Sequence, residues 1–210
     1  MTGAIWFIGD THFGHEKVSG LRGFEHPDYH DAALAQRWLK QVKNEDLVYV
    51  LGDVSGGSRS GEKAALEFLA TLPGRKRLIA GNHDSVSSIH RKLSPHAGMF
   101  ADVFERVSDF GRIRVAGREV LLSHYPYAAD HTEAGPRYAQ YRLKNLGAPL
   151  IHAHTHSTER VDSLALPAER IELCVSWEAW GRLVDLGDVM QWLDSISQGS
   201  PSVEPDMKEG

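Results

Sequence analysis

Residues 75–84, "RKRLIAGNHD", carry an apolar run into a glycine and then into a carboxamide, an imidazole and a carboxylate in succession. A short Leu/Ile run stopped by Gly reads as a buried strand. The tetrad behind it fits a polar turn, because Gly, Asn and Asp all favour turns for conformational reasons. Its meaning depends on what the other strand ends carry. "AIWFIG" (4–9) runs into Asp10 and His12, and "LVYVLG" (47–52) into Asp53. "EVLLS" (119–123) ends at His124, and "APLIHA" (148–153) is followed by His154 and His156.

Helical spacing fills the gaps between the first three runs. Leu34, Trp38 and Val42 share one face, with Ala35 and Leu39 beside them, and Leu66, Leu69 and Leu72 share another. Val86, Ile89 and Leu93 predict a third helix after "RKRLIAG". Strand–helix alternation predicts right-handed crossovers and a parallel sheet in this part of the chain. Farther on, "RIRVAGREVLLSH" alternates about Ala116-Gly117 as an antiparallel hairpin does. Runs at 148–153 and 170–177 add strands, and "DVMQWLDSI" (188–196) adds a closing helix. The pattern is α/β, built either on two sheets or on one large mixed sheet. One domain is expected over 1–197, with a disordered tail over 198–210, where Ser, Pro and charged residues accumulate. Residues 128–140 read as a loop over the site.

Composition narrows the partners. With 23 basic and 28 acidic side chains the net charge is −5, which argues against a broad electrostatic grip on nucleic acid or an anionic membrane. No apolar run reaches the roughly 18 residues of a membrane span, and the N-terminus lacks the basic region of a secretory signal. One cysteine, Cys174, excludes an internal disulfide, reads as a small buried hydrophobe, and suits a reducing cytoplasm. The surplus is histidine, with 12.

Ligands of open α/β sheets bind beyond the carboxyl ends of the strands, so these polar strand ends converge on one rim. Two carboxylates, a carboxamide and four imidazoles form a nitrogen/oxygen donor set without thiolate. That set suits Mn²⁺, Fe, Zn²⁺, Co²⁺ or Ni²⁺ with open coordination positions and disfavours a closed structural zinc site. Seven donors exceed the need of one ion. Two ions roughly 3.5–4 Å apart, sharing one carboxylate, would use them all.

"DTH", "GDV", "GNHD", "SH" and "AHTH" stand in the order of the calcineurin-like metallophosphoesterase signature, and the chain resembles that superfamily from residue 10 to 156. The resemblance implies two mixed β-sheets packed as a sandwich and flanked by helices. It implies a first metal on Asp10, His12 and His156, a second on Asn82, His124 and His154, and Asp53 bridging the two. His83 would assist the leaving group while a metal-bridging hydroxide attacks phosphorus, and Asp84 would orient His83. Ala153 stands where the family usually has Gly, and His152 is a spare imidazole in the core or behind the ligands.

The sequence lacks the Arg-bearing "GDxVDRG" pattern of Ser/Thr protein phosphatases, and its length leaves little room for the capping domain of the DNA-repair nucleases. Its opening, "DTHFGHEKV", looks like the small single-domain bacterial and phage branch. That likeness implies a phosphodiesterase acting on small or cyclic nucleotides, with Mn²⁺ the foremost cofactor. A nuclease for single-stranded nucleic acid, a phosphomonoesterase and a non-catalytic binding scaffold are the alternatives. His15, Asn82 and Tyr125 are the candidate substrate contacts, joined by Tyr127, His131 and Arg137. His26, His30, His90 and His96 are assigned to surface or packing.

Overall fold

Strand β1 (Ile5–Ile8) is followed by helices α1 (Glu16–Leu21) and α2 (Pro27–Gln41), then β2 (Leu47–Val50), α3 (Arg59–Thr71) and β3 (Arg75–Ile79). The computed structural model describes residues 3–92, 94–130, 136–161 and 171–199. Strands β1, β2 and β3 pair in parallel, Ile5 opposite Leu47 and Leu47 opposite Arg75. Helix α4 (Ala97–Val103) leads into β4 (Arg106–Ser108), which joins β3 in parallel. Strand β9 (Val184–Asp185) closes the other edge antiparallel to β1, giving the order β4-β3-β2-β1-β9.

The second sheet has the order β5-β6-β7-β8, from β5 (Phe110–Val115), β6 (Arg118–Ser123), β7 (Leu150–His152) and β8 (Glu172–Cys174). The first two of these form the expected hairpin, and the others add in parallel. Helix α5 (Trp177–Trp180) and helix α6 (Leu186–Gly199) complete the described chain. Both sheets are mixed and helices flank them, so the α/β sandwich expected from the resemblance is what forms.

Alternation along the strands builds two cores. Ile8, Val48, Val50 and Leu78 pack against Leu34, Trp38, Leu66 and Leu69 of α2 and α3. Phe7, Tyr49, Leu51 and Ile79 face the second sheet, meeting Val120, Leu122, Ile151 and Leu173, with Trp192 and Leu193 from α6. Strands β1 and β2 are thus buried on both faces, which explains why their sequences read as continuous apolar runs rather than alternating ones. Ala153 fits because position 9 is Gly: a β-carbon there would lie 2.3 Å from the Ala153 methyl.

The third helix differs from expectation. Residues 85–92 form turns, and α4 begins only at Ala97. The reason is competition for the backbone. Ser85 N–H donates to Glu62 Oε1 and Ser88 N–H to Asp109 Oδ1, so side-chain acceptors replace the helical ladder. Val86 still packs against the first core, which is the burial that the spacing detected. Helix α6 runs from Leu186 to Gly199, overlapping the first two residues of the expected tail; Asp185 Oδ1 accepts from Asp188 N–H at its start. The rest of that tail, like His131 and Leu93, lies outside the described residues.

The loops leaving β1, β2 and β3 approach one another so closely that glycine is required. Gly52 has φ +80°, and a β-carbon on it would come within 2.6 Å of Gly81 N and of His124 Nδ1. Gly52→Ala should therefore cost about 2–4 kcal/mol, from left-handed backbone strain plus backbone overlap. Gly98→Ala, in α4 with open space around it, should instead stabilise by about 0.5–1 kcal/mol. Urea unfolding of both variants checks the contrast; a Gly52→Ala midpoint equal to the parent's would contradict the close approach.

Candidate metal centre

The loops after β1, β2, β3, β6 and β7 carry seven candidate donors to one rim, and five of those residues hold left-handed backbone. Asp10 (φ 53°), His12 (φ 46°), Asp53 (φ 54°), His154 (φ 71°) and His156 (φ 51°) are all non-glycine residues with positive φ. Such strain persists only where the surroundings over-determine it.

Hydrogen bonds fix which atom of each side chain faces inward. His12 Nδ1 lies 3.1 Å from Ser55 O and His124 Nδ1 lies 2.7 Å from Leu51 O. His156 Nδ1 lies 2.7 Å from Glu178 Oε1. A carbonyl or carboxylate oxygen only accepts, so in each case Nδ1–H donates and the neutral ring keeps a lone pair on Nε2. His154 turns its other nitrogen inward: Nδ1 sits 3.2 Å from His124 Nε2, while Nε2 lies 3.5 Å from Asp130 Oδ2.

The carboxylates are also half committed. Asp10 Oδ2 accepts from His154 N–H (2.9 Å) and Ser176 Oγ–H (2.6 Å), and Asp53 Oδ1 accepts from His83 N–H (2.8 Å). Their other oxygens point into the cluster. Asp10 Oδ1 is buried with no hydrogen-bond partner. Asp53 Oδ2 lies 3.9 Å from His12 Nε2 and 3.6 Å from His124 Nε2. His12 Nε2 and His156 Nε2 stand 3.3 Å apart, and His124 Nε2 is 3.3 Å from Asn82 Oδ1.

Buried acceptors facing one another at these distances repel unless a cation lies among them. The donor set therefore fits divalent metal. Asp10, His12 and His156 form one group of mutually close ligand atoms, and Asp10, Asp53 and His124 another. Asp10 belongs to both by distance, and Asp53 Oδ2 reaches imidazoles of both. Without metal, burial pushes the Asp53 carboxyl up despite the pull of His124, and the Asp10 charge pushes it the same way. Burial and the neighbouring His124 hold the His154 imidazole well below its ordinary value.

A cleft of about 550 Å³ opens over the cluster, lined by His12, Asp53, Asn82, His154 and His156 and by His15, Lys17, Val18, Leu21, Arg22, His83, Arg137, Thr158 and Glu178. The His83 ring is partly exposed here. Burial pulls it below its ordinary pKa, and the Asp84 charge opposes this. His15 caps α1, its Nδ1 accepting from Val18 N–H at 3.0 Å.

Two sequence expectations need correction. Asp84 does not hold the His83 imidazole; its carboxylate accepts from the backbone N–H groups of Asp53 (2.9 Å), Val54 (3.0 Å) and Gly81 (2.8 Å). It ties the β2 and β3 loops together, because three converging N–H donors are a stronger pull on a buried carboxylate than one ring. Tyr125, expected at the substrate, is 4% exposed and packs its ring on His124, His154 and Tyr138. Aromatic burial behind the ligands outweighs display of its hydroxyl. Tyr127 is likewise buried, its hydroxyl donating to Ala148 O.

Other residues were invisible to sequence reasoning. Glu178 holds His156, and Arg22 donates to Glu178 Oε1 and to Asp10 O. Arg22 Nη1 also lies 2.7 Å from His30 Nε2, whose ring is fully buried and whose Nδ1 lies 2.7 Å from Asp31. His30 is thus a network member as well as a packing residue. His96 is buried against Glu62, and His26 caps α2 at the surface. His152 is buried with Nδ1 2.9 Å from Ala153 O, away from the donor cluster. Cys174 is buried and free. Among the described residues no helix is long and apolar enough to cross a membrane.

A family model described as calcineurin-like phosphoesterase matches residues 3–158. The Gene 66 protein of Mycobacterium phage L5 is 40% identical over 201 residues, covering 92% of this chain and 95% of the relative. The Gene 66 protein of Mycobacterium phage D29 is 38% identical over 200 residues, covering 93% and 98%. A crystal structure of a protein of unknown function from Aquifex aeolicus superposes with a TM-score of 0.67 at 27% identity, over 90% of this chain and 98% of that one.

The role of Asp84 is open to measurement. Asp84→Asn exchanges an acceptor-only group for one that turns N–H toward the same donors, and should destabilise the metal-free protein by about 2–3 kcal/mol. Thermal unfolding in chelator reads this directly. A variant as stable as the parent would mean that the carboxylate does not join the loops.

Proposed function

The chain belongs to the calcineurin-like phosphoesterase family, and on that premise we propose that it hydrolyses phosphodiesters, small or cyclic nucleotides among them, with two divalent cations. Asp10, His12 and His156 would hold the first, and Asn82, His124 and His154 the second. Asp53 would stand between. The observation that carries this reading is the position of Asp53 Oδ2, 3.9 Å from His12 Nε2 and 3.6 Å from His124 Nε2. The thiolate-free donor set favours Mn²⁺, with Fe, Zn²⁺, Co²⁺ and Ni²⁺ as rivals. When bound, such ions supply Lewis acidity toward a phosphoryl oxygen and lower the pKa of water.

The chain's own groups divide the remaining work. His83 is placed by its backbone bond to Asp53 and presents a partly exposed imidazole to the cleft. In its protonated form it donates to the departing ester oxygen. His15, with Nδ1 accepting from Val18, carries its proton on Nε2 and serves as a donor to substrate. Lys17 and Arg137 line the same cleft and favour an anion, while Val18 and Leu21 offer apolar surface to an esterified group. That apolar surface is what favours a diester over a bare monoester. A reducing, cytoplasmic setting is part of this reading, supported by the lone cysteine.

Asp53→Asn should lose most bound metal and most turnover of bis-p-nitrophenyl phosphate while the fold persists. Unchanged metal stoichiometry, read by elemental analysis beside circular dichroism, would refute the bridging role. Chelation should abolish hydrolysis and Mn²⁺ restore it.

His83→Ala should keep both metals yet slow alkoxide-leaving diesters by about 10²–10⁴-fold, the usual worth of general acid catalysis. A p-nitrophenolate needs less protonation as it leaves, so its ester should suffer less. Equal losses across leaving groups would exclude the proton-donor role.

A further inference from the structure

We propose that the substrates of this site carry a second phosphate, received by a basic compartment that shares His83 and Asn82 with the main cleft. The proposal rests on the phosphodiesterase reading above and names its substrate class. A separate cleft of about 360 Å³ is lined by Asn82 and His83 together with Gly56, Gly57, His90 and Lys92. Asn82 and His83 therefore form a ridge with space on both sides, and a scissile phosphate at that ridge faces both compartments.

The two compartments differ in charge. Asp53 and Glu178 line the main cleft, whereas among the described residues no carboxylate lines the second. Lys92 is exposed and forms no ion pair among the described residues, and His90 stands beside it in the lining. An unpaired ammonium in a compartment free of acid is a receptor for an anion, through charge-assisted hydrogen bonds.

The compartment is also held in shape. Ser85 donates to Glu62 through both N–H (2.7 Å) and Oγ–H (2.6 Å), and His96 Nδ1 lies 2.9 Å from the same carboxylate. Ser87 Oγ (3.2 Å) and Ser88 N (3.0 Å) donate to Asp109 Oδ1. These bonds pin the turns that present His90 and Lys92. Gly56 and Gly57 contribute only backbone to the lining. A β-carbon on Gly57 would come 3.0 Å from His83 Nδ1, and one on Gly56 would overlap the His15 ring at 1.8 Å. Glycine at both positions lets the His15 and His83 rings lie directly against the loop after β2, which holds them at the edge of the compartment.

A ribose joins two phosphates through its 3′ and 5′ oxygens, so the chemical class is a nucleotide phosphorylated at both ends, as within a short oligonucleotide. Two chromogenic esters isolate the effect: the p-nitrophenyl ester of thymidine 5′-phosphate, with and without a 3′-phosphate. Both release p-nitrophenolate from the same phosphorus. With Mn²⁺-loaded enzyme, kcat/KM should be roughly tenfold higher for the 3′-phosphorylated ester, mainly through KM, and the preference should shrink as salt screens it. In Lys92→Ala the preference should fall to about twofold or less. Equal kcat/KM for the two esters in the wild type, or an undiminished preference in Lys92→Ala, would overturn the compartment's role. If neither ester nor bis-p-nitrophenyl phosphate is turned over, the phosphodiesterase reading itself falls. Turnover of bis-p-nitrophenyl phosphate alone overturns only the present inference.

Discussion

Seven acceptors aimed at one another, six of them on buried residues and the seventh on the half-buried His156, are the constraint on which this structure depends. Asp10 Oδ1, Asp53 Oδ2 and Asn82 Oδ1 meet the inward nitrogens of His12, His124, His154 and His156, with the contacts among them at 3.2–3.9 Å. No arrangement of neutral rings and ionised carboxylates satisfies all of those atoms with one another. The protein must therefore hold them by their opposite ends. It does so through Ser55 O, Leu51 O and Glu178 for three imidazoles, and through Ser176, His154 N–H and His83 N–H for the two carboxylates. Orientation of ligands by outer partners is the usual support of a metal site. Here the outer partners are mostly backbone atoms of the loops themselves.

That arrangement stores strain, which the rest of the fold offsets. Each non-glycine residue in left-handed backbone costs about 1–3 kcal/mol, and five of the candidate ligands are so placed. The strands from which these loops spring are anchored on both faces, by Trp38, Leu66 and Leu69 on one side and by Leu122, Ile151 and Leu173 on the other. Asp84 then couples the β2 and β3 loops, and the bridge between Gly9 and Ser176 couples the end of β1 to the second sheet. Stability resides in the layers and strain at their rim.

How much of this was legible in the sequence follows from which forces are local. Strands β1, β2 and β3, the Ala116-Gly117 hairpin and the ligand-bearing strand ends were readable because apolar runs and turn residues act over a few positions. The two-residue strand β9 was not, since it exists only by pairing with Trp6 and Phe7. Glu178 sits in "SWEAW", whose pattern carries no sign that its carboxylate will meet an imidazole 22 positions earlier. Asp84 stands beside His83 in the sequence, but its bonds run to residues 53 and 54, which only the folded sheet brings near. The helix expected over Val86 and Ile89 failed for the same reason: Glu62 and Asp109 take its backbone donors from outside the segment.

Sheet order explains why a site with generic ligands can still be selective. The order β3-β2-β1 sets the loop of β2, with Asp53, Gly56 and Gly57, between the loops of its two neighbours. Residues after β1, namely His12, His15 and Lys17, line the main cleft, whereas residues after β3, namely Ser85, His90 and Lys92, line the smaller one. Only Asn82 and His83 belong to both. The parts of the two walls that follow β1 and β3 can therefore vary independently, while the ligands between them stay fixed by backbone geometry. A chain of net charge −5 has no general attraction for an anion. Affinity for a phosphate ester would come from cations held by the donor cluster and from the basic side chains that line the two clefts, Lys17, Arg22, Arg137 and Lys92 among them.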